Sequence, residues 1–112
     1  IELLIVIAII GILAAIAIPQ FSAYKERAYN SDTRATLHNL FLSCKAYWAD
    51  NGAGAACTTA DVTTTTYGFS KSTKITITDG TTTEAAFAST AVNSDAATVT
   101  YQIDSSGAIT KQ

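Results

Sequence analysis

The chain contains one histidine, one proline, one tryptophan and two cysteines in 112 residues, and only 14% of its residues are charged. Each scarcity excludes something. His38 and the two thiols fall short of the ligand set of a zinc site. No HExxH, GxxxxGK[ST] or GxSxG segment and no paired histidines occur, so the parts of common hydrolytic and phosphate-handling centres are absent. The expectation is no enzyme, no cofactor and no metal. His38 has no suggested nucleophile beside it and reads as a polar helix residue. Asp79, Asp95 and Asp104 sit beside turn-forming residues, and turn chemistry accounts for them. Their spacing shows no convergent oxygen set for calcium. Through Asp50 there are four acids and four bases, and afterwards five acids and three bases, giving a net charge of −2. This leaves no basic patch for nucleic acid. No N-x-[ST] site and no internal repeat is present.

Charge is scarcest at the start of the chain. Residues 3–18, LLIVIAIIGILAAIAI, are wholly apolar, and no charge follows Glu2 until Lys25. As a helix, the uncharged stretch from Leu3 to Tyr24 would measure about 33 Å, enough to cross a bilayer. A secretory signal peptide would begin with basic residues and end at a small-residue cleavage site. Here an acid leads, and Lys25, Glu26 and Arg27 follow. A plain single-pass anchor would exclude Glu2, because a lone carboxylate in hydrocarbon costs roughly 3 kcal/mol or more. Glu2 therefore asks for a partner, with an acid resting at the lipid headgroups as the alternative. Gly11, Ala14, Ala15 and Ala17 are small enough to let helices approach closely, although alanine also faces lipid without such a role.

Pro19 lacks an N–H, and its ring meets the carbonyl of Ala15. Gly11 and Pro19 thus bracket a weak stretch, for which both a mild kink and local unwinding of residues 12–18 are consistent with the sequence. Beyond Pro19 the pattern becomes amphipathic. Leu37, Leu40, Phe41, Cys44, Tyr47 and Trp48 share a stripe, and Lys25, Glu26, Arg27, Asp32, Arg34 and Lys45 point mostly elsewhere. The helix should run to about Asp50, roughly 75 Å, far beyond what a small domain can bury.

Asn51, Gly52 and Gly54 end the helix, and twelve threonines between Thr58 and Thr83 mark a change to loop and strand. Strands are expected at 74–78, 86–92, 98–103 and 108–111, with Asp79-Gly80 and Ser105-Ser106-Gly107 as turns. Ile75, Ile77, Phe87, Val99, Tyr101 and Ile109 are the residues expected to pack on the helical stripe. The fold class is α+β, a long N-terminal helix on a small antiparallel sheet. Its parts are an apolar helix over 1–24, its amphipathic continuation over 25–50, and a loop-and-sheet head over 51–112. So small a core gains from a staple. Cys44 and Cys57 would close a loop worth roughly 3 kcal/mol as a disulfide, which implies an oxidising compartment. Metal binding is the rival use of these thiols.

The segment IELLIVIAIIGILAAIAIP, residues 1–19, followed by QFSAYKERAYNS, resembles the N-terminal signature of type IV pilins of the short, Geobacter-like bacterial kind. The resemblance covers about 31 residues. It implies a major structural subunit that rests in the inner membrane and then polymerises into an extracellular helical filament for adhesion, motility or related surface roles. It also implies a homo-oligomer served by a pilus assembly machinery and a prepilin peptidase, with an N-methylated aromatic residue and a few residues such as Phe-Thr-Leu ahead of the Ile-Glu pair. Glu2 would then set axial register by pairing with the N-terminal amine of a neighbouring subunit, since two desolvated opposite charges must meet. The filament core would be built by Leu3, Leu4, Ile5, Val6, Ile7, Ile9, Ile10, Ile12, Leu13, Ile16 and Ile18, and Gly11 and Pro19 would set its compliance. The same resemblance admits a type II secretion pseudopilin or a minor pilin. It raises electron conduction along Phe21, Tyr24, Tyr29, Phe41, Tyr47 and Trp48 as a minority reading, although aromatics at helical spacing are commonly packing residues. Strand propensity explains most of the threonines, with O-glycans as the alternative. From another class, a monomeric membrane-anchored binding domain would leave Glu2 and the excess helix length unexplained.

Overall fold

A computed structural model describes residues 1–112. One helix dominates it: α1 (Glu2–Asn51) is followed by a single turn, α2 (Thr59–Val62), and by β1 (Ile75–Asp79), β2 (Ser89–Asn93), β3 (Thr100–Ile103) and β4 (Ile109–Lys111). The longest dimension, 75 Å, is that of a 50-residue helix at 1.5 Å per residue. Glu2 in the first turn complements the positive end of the helix dipole. The helix continues through Pro19. It stops at Gly52, whose φ of +96° lies where side chains other than glycine are strained, and whose N–H donates to the Trp48 carbonyl at 2.8 Å.

The four strands form an antiparallel meander in the order β1-β2-β3-β4. Cross-strand partners Ile75 with Asn93, Ile77 with Ala91, Ala91 with Tyr101, and Ile103 with Ser89 and Ile109 define one face of the sheet. On β2 that face carries Ser89, Ala91 and Asn93, all buried, so the middle of the sheet is lined with small side chains. The larger residues of α1 fill the space above them. Leu37, Leu40, Phe41, Cys44 and Trp48 are buried, and Tyr47 is partly covered. The stripe extends one turn further back than its apolar residues, because Thr33 and Thr36 are buried too. Their hydroxyls donate to the carbonyls of Tyr29 and Asp32, each at 2.8 Å, which removes the cost of burying them.

Phe87 is the centre of the core. Its ring lies 5.9 Å from that of Phe41 and 5.3 Å, edge to face, from that of Trp48. The indole N–H of Trp48 donates to the Ala55 carbonyl at 3.0 Å. Of the residues expected to face the helix, Ile75, Phe87 and Val99 are buried and Ile77, Tyr101 and Ile109 are partly buried. Val62, Phe69, Ala91 and Ile103 complete the core.

Two expectations need correction. The second strand begins at Ser89 rather than residue 86, because Glu84–Ala86 form a 3-10 turn. Asp79, expected in a turn with Gly80, is instead the last residue of β1. Residues 80–88 make a longer excursion, closed at its base by bonds from the Gly80 N–H to the Ala88 carbonyl and from the Ala88 N–H to the Thr81 carbonyl, both 2.9 Å. This excursion carries Phe87 beneath the helix. It also brings Glu84 to Lys45, at 2.7 Å, and its backbone to Ala53 and Cys57.

Candidate functional site

The head covers α1 only from Thr33 onward, apart from partial cover at a few earlier positions, so the first half of the helix projects as a stem. Its side chains are aliphatic on every side. Leu3 is 74% exposed, Leu13 61%, Ile16 and Ile18 65% and Phe21 66%. Leu4, Ile5, Val6, Ile7, Ile9, Ile10 and Ile12 are also more than half exposed. Burying these residues would release on the order of 10–20 kcal/mol at ordinary apolar transfer values. That equals or exceeds the whole stability of a small domain, so the stem cannot be at rest in water as a single chain. α1 is long and apolar enough to cross a membrane, and none of its most apolar window is covered by the head.

Glu2 is the one charged side chain among the first 24 residues. The next charge along the helix, Lys25, lies 23 residues away, about 34 Å at helical rise. The ion pairs within the chain are Lys45 with Glu84 and Lys74 with Asp95, both in the head. No cationic side chain of the same chain pairs with Glu2. Gly11 is open as well: a Cβ there would meet nothing within 4 Å. Any requirement for a small residue at that position is set by contacts the isolated chain does not make. The helix keeps its form between Gly11 and Pro19 in the single chain.

Where the stem ends, the chemistry changes within two turns. The Lys25 ammonium lies 5.8 Å from the ring centre of Phe21 and the Arg27 guanidinium 5.7 Å from that of Tyr24. Exposed rings with cations folded onto them suit the boundary between hydrocarbon and water.

The head is fastened to the helix by the Cys44–Cys57 disulfide, both residues fully buried. The closed loop is also held by the Cys57 N–H on the Thr82 carbonyl, at 2.9 Å, and the Glu84 N–H on the Ala53 carbonyl, at 3.1 Å. Two carboxylates organise backbone. Hydrogen bonds from the Thr58 hydroxyl and N–H hold Asp61 below the usual carboxylate range and start α2. The Ser106 hydroxyl and N–H, with the Ala108 N–H, do the same for Asp104 in the turn between β3 and β4. That turn needs Gly107, whose φ is +84°. His38 is exposed, and no group of three His, Cys, Asp or Glu side chains converges anywhere.

No family model matches the chain. It is 46% identical over 50 residues to the type IV major pilin protein PilA of Myxococcus xanthus (strain DK1622). The match takes in 45% of this chain and 23% of that protein, so the chain spans about a quarter of the length of the curated relative it matches. A long apolar N-terminal helix seated on a small antiparallel sheet is a pilin-like architecture, in keeping with that similarity.

Proposed function

We propose that this chain is the major structural subunit of a type IV pilus, an architectural protein without enzymatic activity. The stem rests in the bacterial inner membrane before assembly and becomes the core of an extracellular helical filament afterwards. The observation that carries this reading is the exposed apolar stem with a single carboxylate at its start. A bilayer would cover the aliphatic surface and leave Glu2 at the headgroups, whereas a bundle of identical stems buries the aliphatic surface and gives Glu2 a fixed partner when a neighbour supplies a cation. Apolar helices alone slide past one another with little cost, so one buried ion pair selects one axial register. Glu2 thus sets the stagger, the aliphatic residues from Leu3 to Ile18 make the core, and Gly11 and Pro19 give it compliance. The head, stapled through Cys44 and Cys57, forms the outer surface and carries adhesion or motility contacts. Membrane extraction, filament growth and removal of any leader fall to other proteins, an assembly machinery and a prepilin peptidase.

The test is production of the chain in a bacterium lacking its own major pilin, followed by shearing and electron microscopy. Filaments containing the chain are expected, and Glu2→Ala and Glu2→Gln should each cut their yield at least tenfold while membrane levels stay equal. A chain found only as a membrane-held monomer would replace this reading with an anchored binding domain.

A further inference from the structure

We propose that the cleft at the collar of the molecule, where the stem passes under the head, binds the headgroup of a zwitterionic phospholipid that carries a primary ammonium. The inference rests on the reading that the stem resides in a bilayer before assembly. The cleft is open, about 380 Å³, and is lined by Ser22, Lys25, Glu26 and Tyr29 of α1 and by residues 95–98 of the head. That volume lies near the lower end of small-ligand sites.

Depth along the helix places it. The uncharged stretch ends at Tyr24, and Lys25 to Tyr29 occupy the next 2–8 Å or so at helical rise. The headgroup layer of one leaflet is about 5–8 Å thick. The helical wall of the cleft thus falls in the phosphate layer when the stem spans the hydrocarbon.

The charge pattern selects the ligand. Lys25 offers a cation from one wall, and Glu26 and Asp95 offer carboxylates. Neither Lys25 nor Glu26 has an ion-pair partner within the chain. Asp95 is shared with Lys74, whose ammonium lies 3.5 Å from one carboxylate oxygen. One cation and two carboxylates line the cleft, which favours a dipole with its own ammonium over an anion, because a purely anionic headgroup would face both carboxylates. A lipid phosphate would sit on Lys25, and its ammonium would donate to Glu26 and Asp95. A quaternary ammonium has no proton to donate there. The overhanging wall is fixed in advance. The Asp95 N–H donates to the Asn93 side-chain oxygen at 2.9 Å, and the Ser94 N–H donates to the Lys74 carbonyl at 2.8 Å. Ile18 and Phe21, exposed on the stem below, offer an acyl chain an apolar track.

The full chain in detergent micelles, labelled with nitrogen-15, tests this by titration with dihexanoyl phosphatidylethanolamine, phosphatidylcholine, phosphatidylglycerol and inorganic phosphate. Saturable shifts are expected at the amides of Ser22, Lys25, Tyr29, Ala97 and Thr98, with the ethanolamine lipid bound about fivefold more tightly than the others, the scale of one exposed ion pair. Lys25→Ala should weaken all three lipids, whereas Glu26→Gln with Asp95→Asn should remove only the preference for ethanolamine over choline. Equal shifts for all three lipids, shifts confined to the stem, or equal binding of inorganic phosphate would overturn the proposal. A soluble paramagnetic agent in the same samples reports whether residues 3–18 are embedded. An embedded stem without headgroup preference refutes the cleft alone, and an exposed stem refutes the membrane reading with it.

Discussion

Removing the Cys44–Cys57 crosslink should cost the head a large share of its stability. The two residues are separated by 13 positions, and loop-closure entropy for a ring of that size gives about 3 kcal/mol at 25 °C. For a domain of this size each kcal/mol moves the melting temperature by about 4–8 °C, so the double variant Cys44→Ala, Cys57→Ala should melt about 12–24 °C lower. The loop keeps three other ties after the sulfurs part: Trp48 to Ala55, Glu84 to Ala53 and Cys57 to Thr82. These bonds exist only in the folded state and leave the entropy of the unfolded loop unchanged, so they do not offset the loss. The assay is circular dichroism melting of the full chain in detergent, with three samples: native, native reduced by dithiothreitol, and the double alanine variant. Reduction alone should produce most of the drop, because the thiols still fill their buried sites. A drop below about 5 °C on reduction would refute the entropic account, and a drop seen only with alanine would assign the effect to packing.

Gly107→Ala should destabilise the head by about 1–3 kcal/mol, since φ is +84° and the new Cβ would stand 2.9 Å from Phe41 Cε1, to be checked by urea melting. Acid should weaken the head through Asp61 and Asp104. Both carboxylates are held down by hydrogen bonds in the folded state, so their contribution is complete above the unfolded value near 4 and fades as pH falls through the lower folded values. Melting temperature should be flat in these terms from about pH 5 to 8 and fall below pH 4. The double variant Asp61→Asn, Asp104→Asn should show a shallower acid limb, and an unchanged limb would contradict this assignment. Glu84→Gln should cost less than about 1 kcal/mol, because the Lys45 pair is partly open to solvent.

The helix, its apolar stripe, the crosslink and the meander could be read from the sequence because each rests on local pattern or spacing. Leu37 to Trp48 follow helical periodicity closely, and Lys74 to Thr78 alternate as a strand must. The start of β2 could not be read in the same way. Ala85, Ala86 and Ala88 carry no face preference, and the contacts of Phe87 with Phe41 and Trp48 draw the chain out of strand geometry. α2 is one turn set by Thr58 and Asp61, too short for periodicity to register, although the spacing of a hydroxyl and an acid three residues apart is a capping-box signal. Phe69 and Val62 lie in a threonine-rich stretch whose composition hides their burial. The stem was legible because what marks it, the absence of charge, is local. The cleft at the collar was not, since residues 22–29 and 95–98 meet only through the fold.

The exposed stem is proposed as a polymerisation surface in which Glu2 fixes the register. Electron cryo-microscopy of native filaments at side-chain resolution tests it most directly. Stems bundled on the axis are expected, with Leu3 to Ile18 out of contact with water and each Glu2 carboxylate within about 4 Å of a cation on a neighbouring subunit. Filaments held together by the heads, with stems splayed or Glu2 facing solvent, would contradict it.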